Sequence, residues 1–241
     1  MRIKVTLVDV NPAMISAWRE TFEENPEVEI RHGSMLDQQA SVWVSPTNSA
    51  GNMDGGLDGV IRNYLGNGIQ KRVQAAIKSQ YHGAMPVGYA TCVPTMADNP
   101  RYLISTPTMV SSSENISDTM NVALACAAAL QAVHQQHARE PGSVRSVVLP
   151  GLGANTGQVP VAICADLMWT AYDLFKHRQF ADFAEMRAAL TEILGDLTPA
   201  SPKASAKVAA GEVAGQKGMG APAPSDDEYD FEDFDDEDDF D

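Results

Sequence analysis

The chain has 241 residues, enough for one ordinary domain with additions, and 44% of them are hydrophobic, so a real core is possible. Its formal charge of −15 is uneven: twelve of the 32 acids fall in residues 226–241 with four aromatics and no base, and the other 20 acids face 17 Lys and Arg, a net of −3. That balance excludes a broad basic face for duplex nucleic acid, no apolar run reaches the roughly 18 residues of a membrane span, and MRIKVTLVDV lacks the parts of a signal peptide.

Residues 2–8 alternate and are rich in Val, Ile and Leu, which predicts a strand. Asn11-Pro12 then offers a capping side chain and a first-turn proline, and Met14, Trp18 and Phe22 recur every four residues along one helix face. Asn25-Pro26 ends that helix, residues 27–32 alternate as a second strand, and Gly33 breaks it. Residues 41–44 (SVWV) read as a buried strand, and residues 45–61 (SPTNSAGNMDGGLDGVI) lead from it into a helix begun by Leu57, Val60 and Ile61. Gly66 and Gly68 interrupt the helical pattern, which Ile69, Val73, Ile77 and Tyr81 resume. Residues 87–93 and 102–106 read as strands, residues 94–100 as the loop between them, and residues 106–115 as a polar turn. Ser117 caps a long Ala-rich helix running to about Arg139, and Pro141-Gly142 stops it. Residues 145–149 are a short apolar strand, followed by a second glycine loop at residues 150–160 (PGLGANTGQVP). Pro160 opens a helix lined by Ile163, Leu167, Ala171 and Leu174, and Phe180, Phe183, Met186, Leu190 and Leu194 mark a last amphipathic helix.

This alternation predicts an α/β domain over residues 1–195, with a mostly parallel mixed sheet and helices on both faces. Residues 196–225 are dominated by Pro, Ala, Ser, Gly and Lys without apolar periodicity and read as a flexible linker. Residues 226–241 read as a disordered acidic tail, either solubilising or a docking segment for a protein partner; their composition is weakly similar to the acidic, aromatic-tipped tails of single-stranded-DNA-binding proteins.

Both glycine loops follow a strand and precede a helix. Ligands of such folds sit at the carboxyl ends of strands, so both loops are expected to open on one edge. Each brings backbone N–H groups and a helix N-terminus to that edge, where an anion or phosphate is stabilised. Gly51, Gly55 and Gly56 allow close backbone approach in the first loop. Asn48 offers both a donor and an acceptor suited to ribose hydroxyls, and Asp58 a carboxylate able to position a hydroxyl or a water. In the second loop Gly151, Gly153 and Gly157, with Leu152, Ala154, Asn155 and Thr156 between them, read as a diphosphate cradle. It is neither a Walker loop nor the usual dinucleotide fingerprint, because the spacing is GxGxxxG and no Gly-Lys-Ser/Thr follows.

The first loop resembles that of the macrodomains, the ADP-ribose-binding modules, and so does the second; Ser45-Pro46, Pro86-Val87-Gly88, Pro107-Thr108-Met109 and Pro150-Gly151-Leu152-Gly153 resemble a bacterial and phage group of that family. The resemblance covers about residues 1–178 and implies a three-layer α/β/α fold and a cytoplasmic setting in a bacterium or a phage-infected host. It implies that Asn48 binds the distal ribose, that Gly55, Gly56 and Leu57 approach the ligand, and that Asp58 orients a water that hydrolyses ADP-ribosyl groups or a related ADP-ribose metabolite such as the 1''-phosphate. Many members carry Gly-Asp-Ile where this chain has Gly33-Ser34-Met35, so Ser34 and Met35 are expected at adenine, with Asp37 as a substitute acid. Thr108 and Ser111 to Ser113 are further candidate contacts. Where many members have Gly-Thr-Gly, this chain has Gly153-Ala154-Asn155-Thr156-Gly157, and Asn155 is a residue type able to adopt the left-handed conformation such a turn needs.

Other readings stay open. Asn48 and Asp58 brace a turn and cap a helix in the plainest account. The protein is then a non-catalytic reader of ADP-ribose or another nucleotide, or an interaction protein acting through its tail. His134 and His137 read as a solvated helix face, and Cys92, Cys126 and Cys164 as reduced core thiols of an intracellular protein, so no metal or cofactor is called for.

Overall fold

The computed structural model describes residues 3–195, so the linker at 196–225 and the acidic segment at 226–241 lie outside the described residues. Strands β1 (Lys4–Asp9), β2 (Glu29–His32), β3 (Val42–Asn48), β4 (Thr91–Pro94), β5 (Tyr102–Met109) and β6 (Ser146–Leu149) form one sheet in the order β2-β1-β6-β3-β5-β4. All neighbours pair in parallel except β4, which runs antiparallel along β5.

Successive strand residues point to opposite faces, and this sorts the core into two layers. Leu7, Val42, Val44, Ile104, Val147 and Leu149 meet α1 (Pro12–Thr21), α4 (Asn121–Arg139), α5 (Val161–His177) and α6 (Phe183–Gly195). Val8, Trp43, Leu103 and Val148 face the other way, against Ile61 of α2 (Gly56–Leu65) and Ile69, Val73 and Ile77 of α3 (Gly68–Tyr81). The result is the expected three-layer α/β/α domain. Among the described residues no helix is long and apolar enough to cross a membrane.

Local signals explain the element ends. The Asn11 side chain accepts from the Ala13 N–H at 2.9 Å and Pro12 opens α1, as the sequence predicts. Gly66 and Gly68 divide α2 from α3. Helix α4 is buried almost all round, and Ala123, Ala125, Ala127, Ala128 and Ala129 have no exposed surface. Small side chains are what let it lie close to the sheet and to α5 and α6. Ala127→Leu is therefore expected to destabilise the domain by about 1–3 kcal/mol through overpacking, measured by urea unfolding. An unchanged midpoint would show room at this face that the packing does not leave.

Four expectations are corrected. Strand β4 begins at Thr91 rather than residue 87, because Pro86 to Tyr89 forms a turn closed by the Tyr89 N–H on the Pro86 carbonyl at 3.2 Å. Residues 106–109 are strand rather than turn, since β5 continues beside β3 as a wholly buried run to Met109. Helix α4 starts at Asn121, not after Ser117: the Asn115 side chain accepts from the Ser117 N–H at 3.0 Å, and the Thr119 N–H bonds to the Ile116 carbonyl at 3.1 Å, holding a separate turn. Phe180 precedes α6, whose first turn is capped by the Asp182 side chain accepting from the Glu185 N–H at 2.9 Å.

Candidate functional site

Strands β1, β2, β3, β5 and β6 all end at one edge of the sheet, and a cavity of about 530 Å³ opens there. That is within the usual size of a small-molecule site. Its walls include Gly33, Ser34 and Met35 after β2, Gly55 to Asp58 at the start of α2, and Gly151, Gly153 and Asn155 to Gly157 after β6. The two glycine loops, nearly a hundred residues apart in sequence, therefore face one space.

The first loop ends in a helix N-terminus. The first-turn N–H groups of α2 have no preceding carbonyl to bond, and the residues that carry them line the cavity. The loop before them is braced from outside. The Met53 N–H donates to Gln70 Oε1 at 2.9 Å, and the Arg62 guanidinium pairs with Asp54 Oδ1 at 2.5 Å. Gly55 itself is extended at φ −154° and stands as the N-cap, while Gly51 and Gly56 take positive φ.

The second loop is held by close packing. Gly153 has φ +76°, and a Cβ there would lie 2.9 Å from Val122 Cγ2. A Cβ on Gly157 would lie 2.6 Å from the Gly153 carbonyl oxygen and 2.7 Å from Ile116 Cγ1, so the loop folds over itself with no space for a side chain. The Val159 N–H bonds back to the Gly153 carbonyl at 3.1 Å, and Ile116 donates to the Gly157 carbonyl at 3.0 Å. Asn155 does not use the left-handed conformation open to it. That conformation falls to Gly153 and to Gln158 at φ +58°, whose N–H bonds to the Asn155 carbonyl at 3.1 Å.

Among the described residues two carboxyl groups line the cavity, and no Lys or Arg does. Asp9, at the end of β1, accepts from the Asn11 N–H at 2.8 Å and the Gly151 N–H at 3.1 Å, and so ties the second loop to the first strand. Asp58 stands in the first turn of α2, where its Oδ1 accepts from the hydroxyl of Ser45 on β3. Burial pushes the Asp58 carboxyl up to about 7, and the Ser45 hydrogen bond acts against that rise.

Of the loop residues expected at the site, Leu152, Ala154 and Asn48 do not line the cavity, and neither do the further candidates Ser111 to Ser113. Leu152 is fully buried in the core, and Ala154 packs against the same cluster. Asn48 is 8% exposed and its amide is engaged within the protein: Oδ1 accepts from the Ala50 N–H at 3.1 Å and the Asn52 N–H at 3.2 Å, and Nδ2 donates to Ser112 Oγ at 2.9 Å. Ser34 lines the cavity while its Oγ accepts from the Leu36 N–H at 3.1 Å, capping a single 3₁₀ turn (Met35–Asp37). Asp37, considered as a substitute acid, is exposed and outside the cavity, whereas Thr108 lines it. Sequence reasoning passed over Val8 to Val10, Pro46, Val60 and Met109. The rule that strand ends carry ligands would have found Asp9 and Val10.

A larger cavity of about 740 Å³ lies at the other end of β1, bordered by α4 and α5. Its Lys and Arg side chains already have partners, Lys176 with Glu27 at 3.0 Å and Arg178 with Glu185 at 2.8 Å. Among the described residues no three His, Cys, Asp or Glu side chains gather closely enough to hold a metal ion. The cysteines are free, and burial pushes Cys92 and Cys164 up to about 12, which leaves neither as a ready nucleophile.

The strand ends of a mostly parallel α/β sheet thus carry two glycine loops that face one cavity. Residues 44–168, more than half of the chain, match the family model of the Macro domain, and the chain belongs to that family. A mutant of the Oceanobacillus iheyensis macrodomain solved with ADPR is 15% identical, with a TM-score of 0.51, covering 68% of this chain and 91% of its own. A second mutant of the same macrodomain gives 16% and 0.51 over 68% of this chain and 87% of its own. The macrodomain of Thermus aquaticus DarG is 22% identical with a TM-score of 0.47, over 58% of this chain and 87% of its own.

Proposed function

We propose that the cavity binds ADP-ribose and that the protein hydrolyses ADP-ribosyl groups there. The observation that carries this reading is the pair of glycine loops facing one cavity with the Asp58 carboxyl in its wall. Family membership supports it, since ADP-ribose binding is typical of macrodomains, and so does the ADPR in the Oceanobacillus relative.

In this reading the diphosphate lies between the α2 N-terminus and residues 151–157, held by backbone N–H groups, since among the described residues no Lys or Arg lines the cavity. Ser34 and Met35 meet the adenine end, and Asp58 meets the distal ribose. Asn48 shapes the first loop, and contact of its Nδ2 with the ribose exchanges the Ser112 hydrogen bond for one to the ligand. Asp58 as carboxylate orients a water at the anomeric carbon and takes its proton. The bond from that carbon to the modified side chain breaks, a new C–O bond forms, and the leaving group is protonated as it departs. The reaction passes through an oxocarbenium-like state, so placement of the water and stabilisation of charge do most of the work.

Calorimetric titration of the full chain with ADP-ribose, with ADP and AMP as controls, tests binding. Micromolar affinity for ADP-ribose, weaker for AMP, is the expected result, and no heat with any of the three overturns it. The second reading is a non-catalytic reader, favoured by the Asn48 amide being engaged within the protein. Binding without turnover of a mono-ADP-ribosylated protein would establish that reading in place of the hydrolase.

A further inference from the structure

We infer that Ser45 is a positioning residue for Asp58: from β3 its hydroxyl fixes one carboxyl oxygen, so that the other is presented to the cavity. The inference rests on the reading that Asp58 orients the hydrolytic water. Ser45 has no exposed surface and does not itself line the cavity, and its hydroxyl donates to Asp58 Oδ1. The residues between them, 46–57, pass through the whole first loop, so the bond also joins the start of the loop to its end. Asp58 Oδ2 has no hydrogen-bond partner among the described residues, and Asp58 lines the cavity. A carboxyl on a short side chain in a helix first turn has several rotamers. The buried donor selects one of them.

Few other charges bear on this group. Strand β3 carries no ionisable side chain. On α2, Arg62 is paired with Asp54. On α3, which packs against α2, Arg72 donates to the Thr95 carbonyl at 2.8 Å, and Lys71 and Lys78 are exposed. Across the cavity, the Asp9 carboxylate is bonded to two backbone N–H groups. Ser45 is thus the main specific influence that opposes the effect of burial on Asp58.

The test compares the full chain with Ser45→Ala, Ser45→Cys and Asp58→Asn. Carbon-13 NMR of labelled aspartate follows the Asp58 carboxyl directly, assigned as the signal missing from Asp58→Asn. Loss of a hydrogen bond to a charged group is expected to raise its midpoint by about one pH unit or more in Ser45→Ala. Ser45→Cys keeps the packing with a weak donor and is expected to give a rise of the same sign. It serves if the alanine variant fails to fold. With mono-ADP-ribosylated protein as substrate, the rising limb of kcat against pH is expected to move up by the same amount, while the Kd for ADP-ribose stays within about twofold. An unchanged carboxyl midpoint in the folded variants overturns the inference. A shifted midpoint in a protein that neither binds ADP-ribose nor turns over substrate overturns the proposed function and leaves the Ser45–Asp58 coupling standing.

Discussion

Asp58→Asn is expected to lower hydrolysis by about 10²–10⁴-fold, the range for loss of a positioned general base, while ADP-ribose binding stays close to that of the parent. The amide keeps an oxygen for the Ser45 hydroxyl, so the geometry at the α2 N-terminus survives. The parent's activity is expected to rise with pH through about 7, because burial raises the carboxyl to that value and only the ionised form accepts a proton from water. The same shift has a consequence for stability. In the unfolded chain an aspartate titrates near about 3.9. Between that pH and about 7 the folded protein holds a proton that the unfolded chain has released. Stability from this group is therefore fully present below the unfolded value and is lost as pH rises through the folded one. Asp58→Asn removes the loss, so at pH 8 the variant is expected to be more stable than the parent by on the order of 4 kcal/mol, and equal to it near pH 3. Urea unfolding at both pH values, beside a single-turnover assay, checks both halves. A variant that hydrolyses at the parent's rate would remove Asp58 from the mechanism.

The second large effect belongs to the loop after β6. Gly157→Ala places a Cβ within 2.7 Å of both the Gly153 carbonyl oxygen and Ile116, and neither is the free end of a flexible chain. The loop must open, with the loss of hydrogen bonds from Ile116 to the Gly157 carbonyl and from Val159 to the Gly153 carbonyl. A destabilisation of about 1–3 kcal/mol follows from overpacking alone, and the affinity for ADP-ribose is expected to fall at least about tenfold as the backbone donors lose their aim. Gly55→Ala is the contrast. Its backbone is extended and a Cβ there meets nothing within 4 Å, so stability is expected to hold. Any affinity that this variant loses reports contact with the ligand itself. Thermal unfolding and calorimetry on the pair separate a scaffold effect from a binding effect, and equal stability of Gly157→Ala and parent would contradict the packing account.

What was legible in the sequence was local. The run Val42 to Val44 announced a buried strand because every residue of it meets a helix layer on one face or the other. The glycines between a strand and a helix marked both loops, and strand-end logic placed both on one edge. Helix periodicity found α1, α3 and α5, whose apolar faces repeat every three or four residues. What escaped depended on partners distant in the chain. Nothing near Asn48 in the chain shows that its amide bonds to Ser112, 64 residues away. Asp9 is an unremarkable strand end until β6 brings Gly151 beside it across 142 residues. The start of α4 was misplaced because Ser117 is a good cap by type, while Asn115 and Ile116 close a turn first. The left-handed positions of the second loop fall at Gly153 and at Gln158, whose N–H bonds back to the Asn155 carbonyl, a closure that residue type alone does not reveal.

In the proposed function, ADP-ribose occupies the space between the two glycine loops. Nitrogen-15 amide NMR of the full chain during titration with ADP-ribose tests it most directly. The account predicts that the amides of Gly55 to Asp58 and of Gly151 to Gly157 shift together and saturate at one Kd, while Gln131 and His134, at the opposite cavity, stay still. Shifts confined to that opposite cavity, or none at saturating ligand, would contradict it.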